Sequence, residues 1–235
     1  MEAVAWRVRD ALLLFVFGLV MLVASVAGAQ WLYLLQGTPQ DVPAHPPAAL
    51  AALATLLVYL VMPLGVWLLI VRRYRTRWSV LGLRRPRRAA LVPVLLLCAL
   101  LIIGTALVVV ATSSIPALFG ARVPILPESG LPPRDAPLFP VAVLGTALLV
   151  PAVEELLFRG VLYQALRARG GVAVSVVWSA LAFTLLHARS SIAPEFFLLG
   201  IVLALAFEQA HSLYPSIAIH AAYNGLILAL AVHPV

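Results

Sequence analysis

Apolar residues run along this chain in long blocks, without the two-residue alternation of a half-buried strand or the 3.6-residue stripe of a soluble helix. The blocks cover residues 11–35, 48–71, 89–112, 138–157, 172–186, 196–210 and 217–232. Crossing a hydrocarbon layer about 30 Å thick takes roughly 20 helical residues, so the blocks predict about seven membrane helices. Lipid offers the backbone no hydrogen bonds, which makes the expected fold all-α, a polytopic transmembrane helical bundle. Polar groups interrupt or crowd the last four blocks. Residues 138–235 are therefore a predicted four-helix core that carries these polar groups, and 1–137 the N-terminal membrane helices of what reads as one integrated domain.

Composition strengthens this picture. Hydrophobic residues make up 63% of the 235 residues and charged ones 11%, against roughly half and a quarter in soluble domains. A net charge of +7 would suit nucleic acid, but eight of the sixteen basic residues, all arginine, fall in the single connection 72–88 between two apolar blocks. That is the pattern of a cytoplasmic loop, able to touch anionic headgroups, and no aromatic-interleaved basic face accompanies it. The expected arrangement is an integral protein of a bacterial cytoplasmic membrane with its N-terminus inside and its C-terminus outside. Residues 113–137, rich in proline and glycine, then form an external loop holding Arg122, Arg134, Glu128 and Asp135. Arg7 and Arg9 before an apolar run, with Ala27-Gly28-Ala29 behind it, also resemble a signal peptide. The run continues through Leu35, so a retained first helix is favoured. Cys98 has no cysteine to pair with and reads as a core residue.

The charges inside the apolar blocks carry the functional information. An ionisable side chain at the centre of a membrane helix costs about 2.5–3.5 kcal/mol on insertion scales, so such groups face protein or water-filled cavities. Glu154, Glu155 and Arg159 lie in the fourth block, His187 closes the fifth, and His220 and Asn224 sit four apart in the seventh. Helical spacing pairs Glu155 with Arg159 and turns Glu154 elsewhere, because adjacent residues diverge by about 100°. One reading is a structural ion-pair network; the other leaves Glu154 free to act on water. Counting about 1.5 Å per residue from the Gly170-Gly171 turn places Glu154 and His187 at equal depth on antiparallel helices. A helix starting near Pro215 puts His220 nearer the cytoplasmic face. A carboxylate, two imidazoles and an amide at one place supply a general base and oxyanion donors, the two requirements of amide hydrolysis.

Three ordered segments, Glu154-Glu155-Leu156-Leu157-Phe158-Arg159, Phe183-Thr184-Leu185-Leu186-His187 and His220-Ala221-Ala222-Tyr223-Asn224, resemble the motifs of the CAAX protease and bacteriocin-processing (Abi) family, which includes the CAAX prenyl endopeptidases. The resemblance covers about residues 138–230. It implies an intramembrane endopeptidase in which Glu154 and His187 activate water and His220 and Asn224 stabilise the oxyanion. Glu155, Arg159 and Phe183 would support the site. No cofactor is required in that scheme. A zinc-dependent version, with Glu154, His187 and His220 as ligands and Glu155 as base, remains open, although no HExxH helix accompanies it. The implied partner is a membrane-bound or membrane-delivered peptide or protein, and nucleic acid is not expected. One departure from the family pattern concerns two small positions of the sixth block: many relatives have glycine at both, where this chain has Gly200 and Ala204.

Two competing classes are a non-proteolytic bacteriocin-immunity or scaffold protein using the same pocket for binding, and a transporter with a Glu154–His187 proton relay. The second lacks an evident inverted repeat. Glu208 and His211, three apart, read as a structural or interfacial pair, and Glu195, His45 and His233 carry no assigned chemistry. Ser113-Ser114 and Ser190-Ser191 provide no nucleophile elbow.

Overall fold

A computed structural model describes residues 4–35, 48–118, 134, 138–187 and 193–232. His45, His233, Ser190, Ser191 and most of the expected external loop lie outside the described residues. Among the described residues seven helices follow in chain order: α1 (Val8–Leu35), α2 (Ala48–Val66, continued by the π-helical Trp67–Arg72), α3 (Leu91–Leu118), α4 (Phe139–Arg167), α5 (Val172–Leu186), α6 (Ala193–Ala210) and α7 (Leu213–Val232). The described residues contain no strand. α1 to α4 include four segments long and apolar enough to cross a membrane, which makes this an integral membrane protein. At 15 residues, α5 is about 22 Å long, too short to span hydrocarbon by itself.

Three helices extend beyond the apolar blocks that mark them. α3 continues through Ser113 to Leu118, residues that the loop reading had assigned outside the membrane. α4 runs ten residues past the block that ends at 157, up to the expected Gly170-Gly171 turn, and buries Arg159 and Gln164 at 0% and 3% exposure. α7 begins at Leu213 rather than 217. Pro215 falls in its first turn, where a missing N–H costs nothing, and Ser212 accepts the Tyr214 N–H at 3.3 Å.

A single buried cluster joins all seven of these helices, α3 through Leu101. Trp6, wholly buried, donates its indole N–H to the Val161 carbonyl at 3.0 Å and so fastens the start of α1 to α4. The arginine-rich connection is docked rather than loose. Leu213 N–H donates to the Gly82 carbonyl at 2.8 Å, Arg84 Nε to the His211 carbonyl at 2.7 Å and Gln164 Nε2 to the Val80 carbonyl at 3.0 Å. Gly82 adopts φ +101°, and a Cβ there would lie 2.6 Å from the Phe207 ring. Arg72, Arg73, Arg75, Arg77, Arg85, Arg87 and Arg88 remain exposed around this docked segment. Burial, reinforced by the charge of nearby Arg87, holds the His211 imidazole below its ordinary value in the α6–α7 turn.

α5 and α6 approach closely at Gly200, where an added Cβ would lie 2.9 Å from the Ala180 Cα. A neighbouring backbone cannot swing aside as a side chain can. Gly200→Val is therefore expected to lower stability by about 1–3 kcal/mol, read as a fall in unfolding midpoint in micelles. An unchanged midpoint would show that these helices can part without cost.

Candidate active site

α4 changes winding twice, with π-helical turns at Gly145–Leu149 and Leu156–Tyr163. Such insertions are frequent at functional sites because they redirect side chains within a continuous helix. Glu154 and Glu155 lie just before the second one, 7% and 0% exposed.

Around Glu155 the structure builds a buried polar knot. Arg159 Nη1 donates to Glu155 Oε1 at 2.8 Å, and Arg159 Nη2 donates to the Gly200 carbonyl at 3.0 Å. The guanidinium also lies 4.9 Å from the centre of the Phe183 ring, a cation–π contact. His220 Nδ1 is 3.0 Å from the same Glu155 oxygen. A carboxylate paired with arginine accepts, so Nδ1 carries the proton and His220 turns Nε2 toward Glu154.

His187 is oriented by the same logic. Its Nδ1 donates to the Phe183 carbonyl at 2.8 Å, leaving Nε2 to face the carboxylate. Glu154 Oε2 stands 3.8 Å from His187 Nε2 and 3.8 Å from His220 Nε2. It has no hydrogen-bond partner among the described residues, whereas Oε1 accepts the Tyr59 hydroxyl at 2.7 Å. A water oxygen can lie about 2.8 Å from both members of either pair. Phe183 packs against both imidazoles, with ring centres 4.4 Å from His187 and 5.6 Å from His220. Phe196 stacks on His187 at 4.7 Å.

Sequence reasoning singled out Glu154, Glu155, Arg159, Phe183, His187 and His220, and these converge. His220 stands beside Glu154 despite the depth mismatch expected for it. Asn224 lies one turn farther along and donates from Nδ2 to the Thr146 carbonyl at 3.1 Å, in the first π turn of α4. One amide N–H remains for another acceptor. Tyr59, Phe196 and the carbonyls of Thr146 and Gly200 were not anticipated. Their residue types are ordinary for apolar helices, and only packing brings them here. Glu208 does not rely on His211: it accepts from Tyr163 at 3.0 Å and pairs with Arg167 at 3.2 Å. Glu195, 2% exposed, accepts the Tyr223 hydroxyl.

Residues 136–226 match the family described as Type II CAAX prenyl endopeptidase Rce1-like. The chain carries an Rce1-like domain. This domain contains every site residue above except Tyr59, and it supports a protease of CAAX type in general. No curated protein and no solved structure matches the chain. Among the described residues of the Rce1-like domain and the helices before it, no group of three or more His, Cys, Asp or Glu side chains is arranged to hold a metal ion.

A cavity of about 350 Å³ opens beside the site, lined by Phe15, Tyr59, Met62, Glu154, Leu157 and His187 among others. A second apolar groove shares Phe15, Phe158 and Leu186 with it and continues between α1 and α5 past Leu12 and Trp178. The domain's acid and one imidazole thus border a space that the N-terminal helices help to enclose.

Proposed function

We propose that this protein is an intramembrane endopeptidase that hydrolyses a peptide bond of a membrane-bound or membrane-delivered substrate, with Glu154 and His187 activating water. The observation that carries the reading is the unpartnered oxygen of Glu154, a residue that lines a cavity, facing two imidazole nitrogens 3.8 Å from each. Glu155 and Arg159 cancel each other's charge, so Glu154 supplies the negative charge that draws a proton from water. As the water oxygen attacks the carbonyl carbon, its proton passes to Glu154 and the carbonyl π electrons move onto oxygen. The oxyanion is met by the free amide N–H of Asn224 and by His220 Nε2–H when His220 carries its second proton, the two opposite charges offsetting each other. Collapse breaks the C–N bond, and the proton held by Glu154 or His187 goes to the leaving amine. The products are a carboxylate and an amine. The groove between α1 and α5 is the route from lipid, and a substrate segment lying in it meets the acid from the side.

The direct experiment incubates purified protein with membrane proteome and identifies new peptide termini, for wild type and Glu154→Gln, with and without a chelator. Termini made by wild type, absent with Glu154→Gln and insensitive to the chelator, are the expected result. Identical termini from both proteins would refute the assignment of the base. Loss of cleavage on chelation would replace the carboxylate step with a metal-assisted one.

A further inference from the structure

We propose that Tyr59 is a positioning residue for this reaction, holding the Glu154 carboxylate in the one rotation that aims a bare oxygen at both histidines. The inference rests on the hydrolytic reading of the site. Its physical basis is the asymmetry of the Glu154 carboxylate: Oε1 accepts the Tyr59 hydroxyl at 2.7 Å, and Oε2 has no partner and faces both Nε2 atoms. The terminal torsion of a glutamate is broad and roughly two-fold, so a carboxylate beside a cavity of this size is not held by packing alone. One charge-assisted hydrogen bond to one oxygen removes that freedom.

Tyr59 is itself well placed to impose the constraint. Val58 and Met62 on the same helix are buried at 6% and 4% exposure, which fixes α2 against the core. Thr55, one turn earlier and also on the cavity wall, has its hydroxyl engaged by the Ala51 carbonyl at 3.0 Å, so it does not compete for Glu154. Tyr59 is 95 residues from Glu154 in sequence and outside the matched segment 136–226. Catalysis by the Rce1-like domain therefore depends on a hydroxyl supplied by the N-terminal helices, which do more than enclose the pocket.

The test compares the full-length wild type with Tyr59→Phe, using a peptide substrate identified from the new termini. Loss of a hydrogen bond to a charged group is expected to lower kcat roughly 10- to 100-fold, with KM changed less than about twofold and the unfolding midpoint preserved. Fluorinated tyrosines at position 59 keep the ring and vary the hydroxyl's donor strength. Their kcat should follow that strength, a trend that a packing role would not produce. In infrared difference spectra, the Glu154 carboxylate band should shift between wild type and Tyr59→Phe. If wild type cleaves, Glu154→Gln does not, and Tyr59→Phe matches wild type, the positioning role is wrong while the hydrolytic reading stands. A wild type that cleaves nothing, or a Glu154→Gln protein that cleaves normally, overturns both.

Discussion

Arg159→Leu is expected to cost about 3–5 kcal/mol of stability, because it leaves the Glu155 carboxylate charged, wholly buried and without its cation. The Gly200 carbonyl loses its side-chain donor in the same substitution. Arg159→Lys should recover little. A single ammonium cannot reproduce the fork that reaches Glu155 at 2.8 Å and Gly200 at 3.0 Å while lying against Phe183. Removing both charges together, as Glu155→Gln with Arg159→Leu, should be less damaging than removing the arginine alone. Unfolding midpoints in micelles for these variants check the ordering. Equal stability of Arg159→Leu and wild type would mean that the knot does not hold α4 to α6.

Glu154→Gln is expected to lower kcat by about 10²–10⁴-fold, the usual contribution of a positioned general base. The fold should be unaffected. The amide oxygen still accepts from Tyr59, and the amide nitrogen takes the place of the oxygen that has no partner. Removing a buried charge without changing shape has no large stability cost of the kind expected for Arg159. The paired measurement is kcat on a purified peptide beside the unfolding midpoint of the same preparation. A fall in both together would recast Glu154 as a structural acid.

Much of this arrangement was legible in the chain because lipid simplifies the code. Helices covered by hydrocarbon are apolar all round, so blocks of apolar residues mark them without any need for periodicity. The same rule ends the fourth apolar block at 157, although Arg159 and Gln164 beyond it are buried by neighbouring helices. Local pairs were readable from helix geometry alone, as with Glu155 and Arg159 or with Phe183 and His187, four residues apart in each case. Contacts supplied by distant backbone were not. Nothing in the sequence marks the Gly200 carbonyl as the second acceptor of Arg159, or the Thr146 carbonyl as the partner of Asn224. Tyr59 was hidden for another reason: a tyrosine in an apolar helix is ordinary, and its hydroxyl gains meaning only from what lies across the interface.

Convergence of Glu154 and His187 on one water is the central claim, and a double-mutant cycle tests it most directly. Single-turnover cleavage of one peptide would be measured for wild type, Glu154→Gln, His187→Ala and the combined variant. Residues that act as a unit lose nearly everything once, so the combined variant should be about as slow as Glu154→Gln alone. Rate losses that multiply, each substitution exerting its full effect in the presence of the other, would contradict the shared site.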